Sequence, residues 1–222
     1  MSVLPRVFAQ ALVHLTEPVQ ANRNSYQEEK TSVSWVHAMN VDEAIKGRRS
    51  IRSYTDKPVP MKLVREVLEA GICAPSAHNG QQWRFTVLQG EAKKEITTLF
   101  HVELQKLSAK IGMKNMGSAF ASCRVMEEAP ILVMVWNENQ LKMSKESSLQ
   151  SVAAAIQNML LKAYSLELGS LWICDIYYAA KALTKHLKKP WTLVAAVTLG
   201  WPAEAPAPRP RKALDEVAEF LL

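Results

Sequence analysis

The sequence predicts one domain of α+β or α/β class, with helices covering a sheet. Four runs, WRFTVLQG (83–90), APILVMVW (129–136), SLWIC (170–174) and WTLVAAVTLG (191–200), are rich in branched and aromatic residues and read as strands. The segments between them carry apolar residues at helical spacing, most plainly Val152, Ala155, Ile156, Met159, Leu160 and Ala163. The strands are separated mostly by helices rather than by two-residue turns, which is the pattern of a helix-covered sheet. A chain of 222 residues with 48% apolar content supplies the core of one large domain.

Taken in order, residues 1–40 stand apart as an N-terminal extension. Val3 to Val19 could form an amphipathic helix, and the polar ANRNSYQEEKTS (21–32) is weakly structured. The folded domain is expected over 41–222. VDEAIKGR starts a short helix with Asp42 as its expected N-cap. Pro60 suits the first turn of a second helix, on which Val64, Val67, Leu68 and Gly71 share a face. APSAHNGQQ (74–82) is a loop by its Pro, Ser, Asn and Gly content. In WRFTVLQG, Trp83, Phe85 and Val87 alternate onto one face. Helix follows over about 91–127, weakened around 112–118, and APILVMVW is a fully buried strand. Ser147 or Ser148 opens the long helix that Gly169 closes as a C-cap. Asp175 can cap the helix after SLWIC. WPAEAPAPRPRK (201–212), with four prolines, must run extended, and a short helix ends the chain at about 213–221.

Composition excludes several classes. The longest apolar run, 129–136, is far shorter than the span of a bilayer core of about 30 Å. Gln10, His14 and Glu17 interrupt the N-terminal apolar residues, unlike a signal peptide, so the expected location is cytoplasmic. Cys73, Cys123 and Cys174 are odd in number and never form a Cys-x-x-Cys pair. The five histidines likewise lack ligand spacing, so no protein-bound metal is expected. The formal charge of +6 allows either a solvated basic surface or an anionic ligand. Nucleic acid is not expected, because basic residues are not interleaved with exposed aromatics.

The stretch RRSIRSYTDKPVP (48–60) needs its own account. No Gly-x-Gly-x-x-Gly follows a strand and no P-loop is present, so a phosphate would have to be held by side chains. Arginine suits that task, since its guanidinium offers a planar fork of donors and stays charged. Arg48, Ser50 and Arg52 could surround one phosphate, with Arg209 and Arg211 on the proline-stiffened segment as a second pair. The competing reading is surface ion bridges worth about 0–1 kcal/mol.

Three blocks in order, Arg48–Arg52, Ala74–Trp83 and Gly200–Arg211, resemble the FMN-dependent nitroreductase family, and the resemblance covers about 41–217. It implies a nitroreductase-like α+β fold, with a mixed, mostly antiparallel sheet covered by helices and an intertwined homodimer. It further implies that Arg48, Arg49, Ser50 and Arg52 hold the phosphate, ribityl chain and pyrimidine edge of FMN. Arg209 and Arg211 would close on the phosphate. Pro75, Ser76 and Asn79 would reach the flavin from the other subunit, although plain turn chemistry also accounts for them. Backbone near Cys174 and Asp175 would face the flavin N5, and no side chain would act as nucleophile or base. NADH or NADPH and a small-molecule acceptor (nitroaromatic, quinone or similar) would use one slot in ping-pong order. Members of the same fold with other roles, such as dehalogenation, flavin breakdown or reduced-flavin storage, are one alternative, and a basic nucleic-acid-binding protein using the +6 charge is a second, weaker one. Gln82 in place of the family's proline, Glu167-Leu168-Gly169 in place of Gly-Leu-Gly, and Cys174-Asp175 in place of Gly-Gly or Glu-Gly depart from the pattern.

Overall fold

The computed structural model describes residues 39–138 and 144–221, apart from the side chains of Lys114 and Asn115. The compact unit begins at Met39. The extension expected over 1–40 therefore lies, save its last two residues, outside the described residues.

Four strands, β1 (Trp83–Leu88), β2 (Ile131–Asn137), β3 (Gly169–Ile173) and β4 (Thr192–Gly200), form one sheet in the order β1-β2-β4-β3. Every strand pair is antiparallel, and the parallel pairing is confined to an isolated bridge between Ser50 and Ser170. The central strands β2 and β4 are apolar on both faces because helices cover both. On β2, Leu132, Met134 and Trp136 point into one core, and Ile131, Val133 and Val135 into the other. The first core is filled from α3 (Gly90–Ile111), α4 (Gly117–Glu128) and α6 (Ala180–His186), and the second from α2 (Met61–Ile72) and α5 (Lys145–Ser165). The α5 stripe read from the sequence is buried in full. Gly112, at φ +87°, ends α3 where the sequence weakens, and a 3-10 turn at Met113–Met116 leads into α4.

Several boundaries differ from expectation, each for a local reason. Asn40, not Asp42, caps α1 (Val41–Gly47): its side chain accepts the Glu43 N–H while the Glu43 carboxylate accepts the Asn40 N–H, a complete capping box. Ser144 caps α5 one turn ahead of the expected serines. Past Ser165 the left-handed residue is Glu167, at φ +60°, so Gly169 is no cap but the first residue of β3. The final helix shrinks to a 3-10 turn at Leu214–Glu216, leaving Val217, Phe220 and Leu221 exposed.

The reason for glycine at 169 and 200 is close approach. A Cβ on Gly169 would stand 2.9 Å from Ile51, and one on Gly200 would stand 2.6 Å from Tyr54 and 2.7 Å from Pro130. Ile51 and Tyr54 belong to the arginine-rich stretch, so both glycines serve its docking on the sheet. Gly200→Ala is expected to destabilise the domain by about 1–3 kcal/mol through overpacking, with the fold retained. Urea unfolding measures this, and an unchanged midpoint would contradict the close packing.

Candidate functional site

The stretch that follows α1 is fixed at the start of β3 and just past the end of β4. The Ile51 N–H donates to the Ser170 carbonyl at 3.0 Å, and the Thr55 N–H to the Trp201 carbonyl at 2.9 Å. In return the Ala203 N–H donates to the Ser53 carbonyl at 3.0 Å. The Arg52 N–H donates to the Glu204 carboxylate at 2.5 Å. The Tyr54 hydroxyl donates to the Ile51 carbonyl at 3.0 Å and shares a 2.7 Å hydrogen bond with the Thr198 hydroxyl. Burial pushes the Tyr54 hydroxyl above the ordinary tyrosine range, against the hydrogen bond from Thr198, so it stays neutral. Residues 50–55 thus behave as an added ribbon on the sheet rather than as a loop.

That ribbon carries the arginines. Arg48 is half-buried, and burial, then Arg49, then Arg211 pull its guanidinium below the usual arginine range. Two cationic groups from opposite ends of the domain therefore lie within electrostatic reach of Arg48. Among the described residues no carboxylate pairs with Arg48, Arg49 or Arg211. Arg49 turns its Nη1 onto the carbonyls of Lys46, Gly47 and Arg48 at 2.8–3.0 Å, capping the negative end of α1, and its buried Nε has no partner. Arg52 is exposed and donates to the Ser50 carbonyl at 3.2 Å. Arg211 folds its Nη1 back onto the Arg209 and Pro210 carbonyls at 3.3 and 3.1 Å, and Arg209 is exposed. A cluster of cations without counter-ions is the arrangement an anionic ligand completes.

Pro75, Ser76 and Asn79 lie elsewhere. His78, Asn79 and Gln81 all take left-handed backbone, at φ +52°, +51° and +45°, each conformation costing about 1–3 kcal/mol. Ser76 supports the turn: its carbonyl accepts the Asn79 N–H and its hydroxyl accepts the Gln81 N–H at 3.1 Å. The Ala77 N–H donates to Ser151 of α5 at 3.1 Å. No hydrogen bond or ion pair of the described residues joins this loop to the arginine ribbon within one chain. Gln82 is buried, and its carbonyl accepts the Glu138 N–H at 2.8 Å, which ties the loop to the end of β2.

Cys174 follows the last residue of β3 and is exposed, with its sulfur partly covered. Asp175 does not cap an α-helix as expected. It starts a 3-10 turn, Asp175–Ala179, and its carboxylate accepts a hydrogen bond from Ser122 of α4 at 2.9 Å. Burial, then the neighbouring Asp175, push the Cys174 thiol above its ordinary value. From Ser170, where the ribbon is bridged, to Cys174 is four strand residues, or roughly 13 Å. β3 is an edge strand, so beyond Ser170 one row of its backbone groups has no strand partner. The indole N–H of Trp172, in the middle of that strand, is buried and makes no hydrogen bond of ordinary geometry, and its approach to the Cys174 sulfur offsets part of the rise in that thiol. Tyr54 and Glu204 escaped the sequence reading, and Gly169 and Gly200 were read there for other reasons than the close approach they permit. The usable signal was a glycine at the start of one strand and at the end of another, neither with left-handed backbone.

A family model named "Nitroreductase family" matches residues 45–201, most of the chain. The chain belongs to the nitroreductase family. A relative from Methanothermobacter thermautotrophicus, provisionally named NADH dehydrogenase/NAD(P)H nitroreductase, is 30% identical over 178 residues, covering 78% of this chain and 83% of that protein. A Desulfovibrio desulfuricans nitroreductase-type protein, solved in complex with FMN, is 29% identical with a TM-score of 0.66, covering 81% of this chain and 96% of its own. The 5,6-dimethylbenzimidazole synthase of Rhodospirillum rubrum is 22% identical over 174 residues, 74% of this chain and 82% of that enzyme. The nitroreductase-type fold expected from the three sequence blocks is therefore present.

Because the Cys174 thiol is raised by burial and an adjacent anion, less of it is thiolate at a given pH. Its alkylation by iodoacetamide, followed by mass spectrometry, is expected to reach half-maximal rate at higher pH than a peptide thiol of about 8.5. A midpoint at or below the peptide value would contradict the environment described here.

Proposed function

We propose that this nitroreductase-family protein is an FMN-dependent oxidoreductase taking electrons from NADH or NADPH to a nitroaromatic, quinone or similar conjugated acceptor. The convergence of Arg48, Arg49 and Arg211 without carboxylate partners carries the reading, because it is a ready site for a phosphate monoester. FMN, when bound, supplies the acceptance of a hydride from the nicotinamide and the release of electrons to the acceptor. The chain's own residues bind and orient. Arg48, Arg49 and Arg211 would neutralise the phosphate, with Arg209 beside Arg211, and Ser50 and Arg52 would serve the sugar chain and pyrimidine edge. The outer edge of β3 offers backbone donors and acceptors along the ring, and the backbone at Cys174 and Asp175 faces its reactive edge. The Ser122 hydroxyl holds the Asp175 carboxylate on α4, so the contribution of this position to a bound flavin would come from its main chain.

Pro75, Ser76 and Asn79 complete the site from a second copy in a homodimer. Two observations support this: the 75–81 turn is hydrogen-bonded internally and to Ser151 yet, among the described residues, to no part of its own arginine ribbon, and Leu214, Val217, Phe220 and Leu221 stay exposed at 63–86% on a single chain. Donor and acceptor use one slot in turn, so the kinetics are ping-pong. No helix of the described residues is long and apolar enough to cross a membrane, which suits a cytoplasmic enzyme. The benzimidazole synthase among the relatives favours a second reading, a flavin-consuming reaction on the same fold, and steady NAD(P)H oxidation with a quinone argues against it.

Arg48→Ala and Arg211→Ala each remove a charge-assisted contact of about 1.5–3 kcal/mol, so FMN affinity is expected to fall about ten- to a hundredfold with the fold intact. Flavin titration of each apoprotein is the measurement, and unchanged affinity in both variants sinks the assignment. Light scattering at low micromolar concentration is expected to give a dimer. A monomer that binds FMN tightly would remove the two-chain site.

A further inference from the structure

We infer a metal site of zinc-binding chemistry at His101, Cys123 and Glu127, between α3 and α4 and separate from the arginine ribbon. The three side chains offer one ligand atom each, and these atoms all lie within 4.8 Å of one another. The Cys123 sulfur is 4.0 Å from His101 Nδ1 and 3.7 Å from Glu127 Oε1. Tetrahedral zinc, with bonds of about 2.0–2.3 Å, needs its ligands roughly 3.3–3.7 Å apart. One edge is at that length, a second is a few tenths of an ångström longer, and the third, between His101 and Glu127, is at most 4.8 Å, so the Glu127 carboxylate must move inward to close the site.

The placement of each ligand suits closure. Cys123 and Glu127 are one turn apart on α4 and share a face. Cys123 is buried at 1% exposure, and Glu127 is exposed and can swing the small distance required. His101 comes from α3, half-buried, with its ring edge-on to Phe120 at 5.6 Å and 74°. The site is thus floored by a sulfur and open at the carboxylate. Its cost to the sequence reading was concealment: the ligands are 22 and 4 residues apart on two helices, so no short metal motif is written in the chain.

The donor set selects the ion. Sulfur, imidazole and carboxylate together favour zinc over magnesium or calcium, which take oxygen alone. Three protein ligands leave a fourth position for water. The balance is simple: the Cys123 thiol gives up one proton, and thiolate and carboxylate then neutralise a divalent cation, with no change of oxidation state. Without metal, the thiol is served by the Thr97 carbonyl at 3.7 Å, so the resting cluster is satisfied. The nearby Lys93 ammonium is held on the Glu127 and Ala129 main-chain carbonyls at 2.7 and 2.5 Å and does not occupy the ligand positions. Binding would clip α3 to α4 one residue away from Ser122, the partner of Asp175.

Cobalt(II) titration of the full-length protein under reducing conditions tests the site, since thiolate-to-cobalt absorption reports sulfur ligation directly. One equivalent is expected to produce that band with the visible bands of a four-coordinate ion, and zinc is expected to erase it. Cys123→Ser should abolish the band, while Cys73→Ser and Cys174→Ser leave it. His101→Ala and Glu127→Gln, at less buried positions, should weaken binding about tenfold or more, since even outer partners of a metal account for about 10–100-fold. They carry the test should Cys123→Ser not fold. Zinc should also raise the melting temperature of the wild type and not of His101→Ala. Absence of the thiolate band, its survival in folded Cys123→Ser, or undiminished cobalt binding in both His101→Ala and Glu127→Gln would overturn the assignment.

Discussion

The closeness of residues 50–55 to the sheet is the constraint on which the rest of the candidate site depends. A single cation-rich stretch would spread apart in water, because its guanidinium groups repel. Here it is laid against β3 and against the chain leaving β4 by main-chain hydrogen bonds from Ile51, Thr55 and Ala203. Only glycine at 169 and 200 admits Ile51 and Tyr54 to that distance. The same docking brings the C-terminal segment alongside, through Glu204 and Trp201, and so delivers Arg211 into the field of Arg48. Backbone geometry thus assembles a charge cluster that side-chain electrostatics alone would disperse.

The two cores explain why this docking holds. β2 and β4 are packed on both faces, so the sheet cannot yield to the ribbon, and the ribbon must conform to it. Tyr54 is the pin between them, with its hydroxyl shared by Ile51 and Thr198. Helix α5 plays the matching part on the other side, where Ser151 anchors the left-handed 77–81 turn. Both proposed halves of the flavin site therefore rest on elements whose own positions are fixed by apolar burial. Function is placed on the edge of the fold and rigidity in its centre.

Much of this was legible in the residues. The alternation in β1, the unbroken apolar runs of β2 and β4 and the period-3.6 stripe of α5 were readable because the corresponding side chains do face the two cores. The arginine ribbon was legible as chemistry, since Arg48 and Arg52 flank Ser50 in a chain without glycine-rich phosphate loops. What was hidden depends on contacts far apart in sequence. Gly169 looked like a helix C-cap because helix ends and close approaches both call for glycine, and only the position of Ile51 separates the two. Asp175 looked like an N-cap, yet Ser122 takes its carboxylate. The C-terminal helix failed for the opposite reason: local pattern was present, but Leu214, Val217 and Phe220 find no core to bury against in one chain.

The central claim is that the arginine cluster is built for the phosphate of a flavin mononucleotide, and comparing FMN with riboflavin tests it most directly. The two ligands share the ring and ribityl chain and differ by the phosphate alone. Titration of the apoprotein by flavin fluorescence is predicted to show FMN binding at least about a hundredfold more tightly than riboflavin, as two or more charge-assisted contacts of about 1.5–3 kcal/mol require. The gap should narrow as salt is raised. Equal affinity for the two flavins would contradict the account.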